Sequence, residues 1–161
     1  MGFQVNDVST IFQNCSPNMS GETEDHYDLY RFVAAQNPVY DQVCLELRQG
    51  FKITHWMWFV FPRLEGLSSS ATSKKFAISS LEEAVAYLEH PILGARLRQC
   101  TELVNATSGR TITRILGATD SLKFQSCMTL FAQATKESKV FEDALQIFYG
   151  GKLDRLTLSR L

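Results

Sequence analysis

The chain has 161 residues, 45% hydrophobic and 20% charged, and carries a formal net charge of −1 from 16 basic and 17 acidic residues. This size and balance suit one globular domain with a real core and exclude a global attraction for nucleic acid polymers or anionic membranes. The longest apolar run, Trp56 to Phe61, is far too short to span a bilayer.

Residues 1–26 read as a poorly ordered tail. The stretch QNCSPNMSGETED is polar, rich in Ser, Asn and Gly, and without periodicity, so it cannot bury enough surface to offset the entropy of ordering it. No apolar h-region precedes it, and no secretory signal is expected. The four cysteines, Cys15, Cys44, Cys100 and Cys127, show no C-x-x-C spacing, and the last three sit among apolar neighbours. Reduced thiols of this kind point to a cytoplasmic protein.

Residues 27–161 read as a single all-helical domain. Asp28 is placed to cap a first helix carrying Leu29, Phe32 and Val33, which ends before Asn37-Pro38, a cap and first turn for the next. There Val39, Tyr40, Val43, Cys44 and Leu47 recur at helical spacing, and Gly50 supplies the stop. Lys52 to Pro62, KITHWMWFVFP, is ambiguous because a continuous apolar run fits a buried strand or a buried helix. Helices on both sides favour a short helix capped by Thr54 and broken before Pro62.

Beyond it, EGLSSSATSKK reads as a polar loop, and Ser80-Leu-Glu-Glu83 has the spacing of a capping box. That helix runs to His90-Pro91, and the next buries Leu93, Leu97, Cys100, Leu103 and Val104. Thr111 opens a short turn closed by Gly117, and Asp120 is placed to cap a long helix with Phe124, Cys127, Met128, Phe131 and Ala134 inward. Phe141, Leu145 and Phe148 mark another, stopped by Gly150-Gly151, and Asp154 caps a last short one. Six or more helices on short links define the fold class as all-α, a compact multi-helix bundle.

Chemistry concentrates in KITHWMWFVFP. One reading makes Trp56, Met57, Trp58 and Phe61 a packing hub with His55 at its edge. The other makes it the wall of a pocket, with Lys52, Trp56, Trp58 and Arg63 offering indole faces and cations to a small, planar, anionic, nucleotide-like ligand. Histidine is the one side chain type whose ordinary pKa lies near neutrality, so His55 is then the natural candidate catalytic acid or base, although no second catalytic group presents itself. Ser68 to Ser70 can offer hydroxyls and backbone N–H groups to an anion, but the spacing of a phosphate-binding loop is absent. Lys123, near the start of the long helix, is a further anion-binding candidate, and a surface pair with Asp120 explains it equally well. The three histidines lack partners at metal-ligand spacing, so no metal and no cofactor is expected.

The blocks GFKITHWMWFVFPRLEGL, YLEHPILGARLRQCTELV, ILGATDSLKFQSCMTLFA and FYGGKLDRLTLSRL resemble a bacterial and fungal family, domain-of-unknown-function family eighteen-ten, whose members often carry the label calpastatin. The likeness runs from about Tyr27 to the C-terminus and implies an all-helical fold without implying an activity. The family pattern usually has Gln where Arg63 stands and often Gly where Ser68 stands, so a polar pocket built on those positions would differ here. Calpastatin-type inhibitors are disordered and repetitive, which this apolar-rich, unrepeated chain is not. Two functions stay open: a small-molecule-binding domain, with or without turnover by His55, and a protein-interaction module whose aromatic block is purely core.

Overall fold

The computed structural model describes residues 24–161. Among them the chain forms ten helices and no strand beyond one isolated parallel bridge, Leu64 to Ile78. They are α1 (Tyr30–Gln36), α2 (Tyr40–Gln49), α3 (Met57–Val60), α4 (Ala71–Lys75), α5 (Leu81–Glu89), α6 (Leu93–Asn105), α7 (Ile112–Leu116), α8 (Ala118–Gln133), α9 (Lys139–Tyr149) and α10 (Arg155–Ser159). The all-α reading therefore holds. The tail expected over residues 1–26 lies outside the described residues as far as residue 23.

The long helix α8 is the axis of the molecule. Every residue from Ser126 to Phe131 is buried, because α5, α7, α9 and α10 pack around it. Helix α6 lies against α2, α5 and α9. Aromatic rings join these layers edge to face: Phe61 meets Phe124 at 4.9 Å and Phe32 meets Tyr87 at 5.1 Å between centroids. The buried Gln36 amide donates to the Phe59 carbonyl at 2.6 Å and the Tyr87 hydroxyl at 3.1 Å, so α1, α3 and α5 share a satisfied polar node.

Several expected caps are present. Ser80, Thr111 and Asp154 each accept a hydrogen bond from the backbone N–H three residues on. The Ser80 box is modified, since Glu83 reaches past Ser80 to the Ser79 N–H and hydroxyl, both at 2.7 Å, and ion-pairs with Arg31 at 2.8 Å. Other caps differ. Asp25, not Asp28, receives the Leu29 and Tyr30 N–H groups at 2.7 and 2.9 Å, so a capping residue lies within the stretch assigned to the tail. Asp28 stands in left-handed backbone, at φ 51°, which a short polar side chain tolerates. Gly117, at φ 90°, precedes α8 and leaves Asp120 within its first turn. Asn37 closes α1 instead of capping α2, and its side chain accepts from Arg96 at 2.9 Å. The loop expected at SSSATSKK contains α4, capped by Ser70.

Gly94 of α6 packs directly against the backbone near the end of α5. A Cβ there would stand 2.0 Å from the Leu88 carbonyl oxygen, a backbone atom that cannot rotate away. Gly94→Ala is expected to destabilise the fold by about 3 kcal/mol, at the top of the usual overpacking range, read as a lowered urea midpoint at unchanged slope.

Candidate functional site

The segment after α3 builds one wall of a cavity of about 480 Å³. Its backbone is held by the parallel bridge: Ile78 N–H donates to the Arg63 carbonyl at 2.8 Å and Glu65 N–H to the Ile78 carbonyl at 2.9 Å. Between those two strands of chain, α4 turns outward and contributes Lys74, with Phe76 following it. The second turn of α8 brings Lys123 from the opposite side, and the end of α10 lays Arg160 across the turn at Gly66. Trp58, half-buried on α3, supplies an aromatic face.

Three of the six residues expected at a site line this cavity: Trp58, Arg63 and Lys123. The Lys123 ammonium lies 5.2 Å from the Trp58 ring centroid, within cation–π range. Arg63 is half-buried, and among the described residues its guanidinium makes no hydrogen bond and no ion pair. Burial pushes its pKa below the usual arginine value, partly offset by Cys127 and by the carboxylates of Asp154 and Asp120, and the group stays cationic. Ser68, expected to face an anion, also lines the cavity.

The other three stand elsewhere. Lys52 lies behind the cavity wall: its ammonium pairs with Asp120 at 2.9 Å and sits 5.2 Å from the Trp56 ring. Asp120 bridges Lys52 to Lys123, whose ammonium is 3.2 Å away. Burial alone would raise the Asp120 pKa, but hydrogen bonds and charge from the two ammonium groups outweigh it and hold the carboxyl below its ordinary value. The expected Asp120–Lys123 pair thus exists, as half of a triad that fixes Lys123 beside Trp58.

Trp56 is a correction to the pocket reading. It is 1% exposed, packs against Phe61, and donates its indole N–H to Glu46 at 2.8 Å. His55 is a second correction. It is exposed, precedes α3 and does not line the cavity. A general acid or base must come within hydrogen-bond reach of the group it serves, so this placement gives His55 no such role in the pocket.

The reason for both corrections is Glu46, which the sequence reading passed over. Its carboxylate is fully buried and accepts from the Ile53 and Thr54 backbone N–H groups, the Thr54 hydroxyl at 2.6 Å, the Trp56 indole and the Gln42 amide. Burial pushes its pKa up, and this ring of donors more than reverses the effect and holds it at about 2. Thr54 therefore serves Glu46 and does not cap α3, whose start moves to Met57. The signal was present: Glu46 follows Val43 by three positions, so a carboxylate occupies the buried face of α2.

Among the described residues no group of His, Cys, Asp and Glu has the arrangement of a metal site, and no helix is long and apolar enough to cross a membrane. Cys44, Cys100 and Cys127 are free and buried.

Comparison with known proteins adds the family. No curated protein matches the chain. The structure resembles the crystal structure of the conserved hypothetical protein Rv1873 from Mycobacterium tuberculosis, with a TM-score of 0.84 and 55% sequence identity over 85% of this chain and 98% of that one. The family profile described as "Protein of unknown function (DUF1810)" matches residues 26–161. The resemblance carried by the His-Trp-Met-Trp block is therefore correct, and the chain belongs to the DUF1810 family of unknown function.

Proposed function

We propose that the cavity between α3, α4, α8 and α10 binds a small anionic ligand with a planar portion, of nucleotide-like chemistry. The observation that carries this reading is Arg63, a half-buried guanidinium with no protein partner among the described residues, facing a cavity that also holds Trp58 and Lys123. A buried or half-buried charge is costly unless paired, and a bound oxyanion would accept two of its N–H groups side by side. The volume falls within the usual range for small-molecule sites, and the aromatic face offers a surface for a planar group. The role proposed is binding, because the residue expected to supply acid–base chemistry lies outside the cavity. The interaction-module alternative asks for an aromatic block that is pure core, which suits Trp56 and not Trp58.

Adenosine monophosphate is a suitable probe. Wild type is expected to gain thermal stability with increasing nucleotide, and Arg63→Ala and Lys123→Ala to weaken binding by about tenfold or more, the scale of a lost charge-assisted hydrogen bond. His55→Ala is expected to bind as wild type does. A flat thermal response to this nucleotide, to inorganic phosphate and to pyrophosphate would remove the reading.

A further inference from the structure

We infer that the ligand class of this cavity is a diphosphate, two linked anionic groups, and not a single phosphate or carboxylate; the inference rests on the anion-pocket reading above and deepens it. The cations around the cavity form two tiers. Arg63, half-buried, and Lys123, with a side chain 19% exposed, form the inner one. Lys74 from α4 and Arg160 from the end of α10, both exposed, form the outer one. Among the described residues Glu65, itself exposed, is the one carboxylate in the lining.

Direct ion pairs answer little of this charge among the described residues, although the Asp154 and Asp120 carboxylates act on Arg63 through space. Among the described residues Arg63, Lys74 and Arg160 form no ion pair, and Lys123 shares its partner Asp120 with Lys52. The chain as a whole carries a net charge of −1, so the concentration of positive charge is local and is not a consequence of general basicity. Like charges gathered around a low-dielectric cavity repel one another, and an anion placed among them relieves that repulsion.

One phosphate can occupy the Arg63 fork and the Lys123 ammonium, which leaves the outer tier unanswered. A second phosphoryl group joined to the first carries negative charge toward the mouth, where Lys74 and Arg160 stand. Arg160 lies against the turn at Gly66. The φ of Gly66 is 84°, and a Cβ there would lie 2.6 Å from an Arg160 guanidinium nitrogen, so the missing side chain is what allows Arg160 to lie over it.

The test is calorimetric titration of the full chain, at one fixed low salt concentration, with adenosine mono- and diphosphate and with inorganic phosphate and pyrophosphate. The diphosphate is expected to bind about tenfold tighter than the monophosphate, and pyrophosphate tighter than phosphate by a similar factor. A Lys74→Ala/Arg160→Ala double variant, altered only at exposed positions, is expected to bring the diphosphate down to near the affinity of the monophosphate, while the monophosphate, held by the inner tier, weakens by a much smaller factor. Equal affinity for the two nucleotides in wild type, or equal weakening of both in the double variant, overturns the diphosphate inference while the pocket reading stands. Failure of all four probes to bind overturns the pocket reading and this inference with it. The nucleotide and pyrophosphate arms together distinguish a ligand held by its phosphates alone from one that also uses the aromatic face.

Discussion

Trp56→Ala is expected to lower the stability of the fold by about 3–5 kcal/mol, whereas the same truncation at Trp58 is expected to cost far less and to act on the cavity. The two indoles are one residue apart in the chain but occupy different environments. Trp56 is closed off from water, meets Phe61 at 6.1 Å, lies under the Lys52 ammonium and donates to Glu46. Truncation there opens a large cavity and takes one donor from a fully buried carboxylate, and the two penalties add. Trp58 is half-buried and lines an existing cavity, so its truncation mainly enlarges that space and removes a cation–π contact worth about 1 kcal/mol. Trp56→Phe separates the contributions: it keeps most of the apolar volume and loses the N–H, with an expected cost of about 1.5–3 kcal/mol for one lost hydrogen bond to a buried carboxylate that keeps its other donors. Urea unfolding of the three variants measures all of this. A Trp58→Ala variant as unstable as Trp56→Ala would mean that both rings are core and would weaken the pocket reading.

The same contrast explains what could be read from the sequence. The helical elements were legible because periodicity and caps are local: Ser80, Thr111 and Asp154 sit where their caps form, and Gly50 and Gly150 stop α2 and α9 in left-handed backbone. Lys123 and Asp120 were legible as a pair because they lie three residues apart on one helix. Lys52 joining them was not, since the contact depends on how the loop before α3 docks on α7, where Lys52 N–H donates to the Ile115 carbonyl at 2.7 Å. Arg63 and Trp58 were singled out for their chemistry, and their convergence with Lys74 and Arg160 comes from the Leu64–Ile78 bridge and the docking of α10 on α8. His55 and Trp56 were misplaced for one reason. A helix begun directly after Thr54 carries both on its first turn, while a buried carboxylate ten residues upstream of Trp56 ties the Ile53 and Thr54 N–H groups and the Trp56 indole into the loop before α3.

Glu46→Gln tests that carboxylate, and the result should depend on pH. The folded protein holds the Glu46 pKa at about 2 against an ordinary value of 4.5, so the ionised form is favoured by folding. A group with a depressed folded pKa contributes stability that is fully present above its unfolded pKa and is lost as pH falls through the folded value. For Glu46 that window runs from about 4.5 down to about 2, and the contribution at stake is about 3 kcal/mol. At neutral pH Glu46→Gln is therefore expected to be less stable than wild type by about 3 kcal/mol, because the amide turns N–H donors toward the Trp56 indole N–H and the Ile53 and Thr54 amides. As pH falls through the window, wild type loses its advantage and the two unfolding curves approach each other. Asp120, also held below its ordinary value, titrates alike in both proteins and cancels in the difference. Urea midpoints for the pair at neutral pH, near the top of the window and near its bottom measure that difference directly. A gap of constant size across the range would show that Glu46 acts by shape alone, and the account of why the loop before α3 folds as it does would have to be replaced.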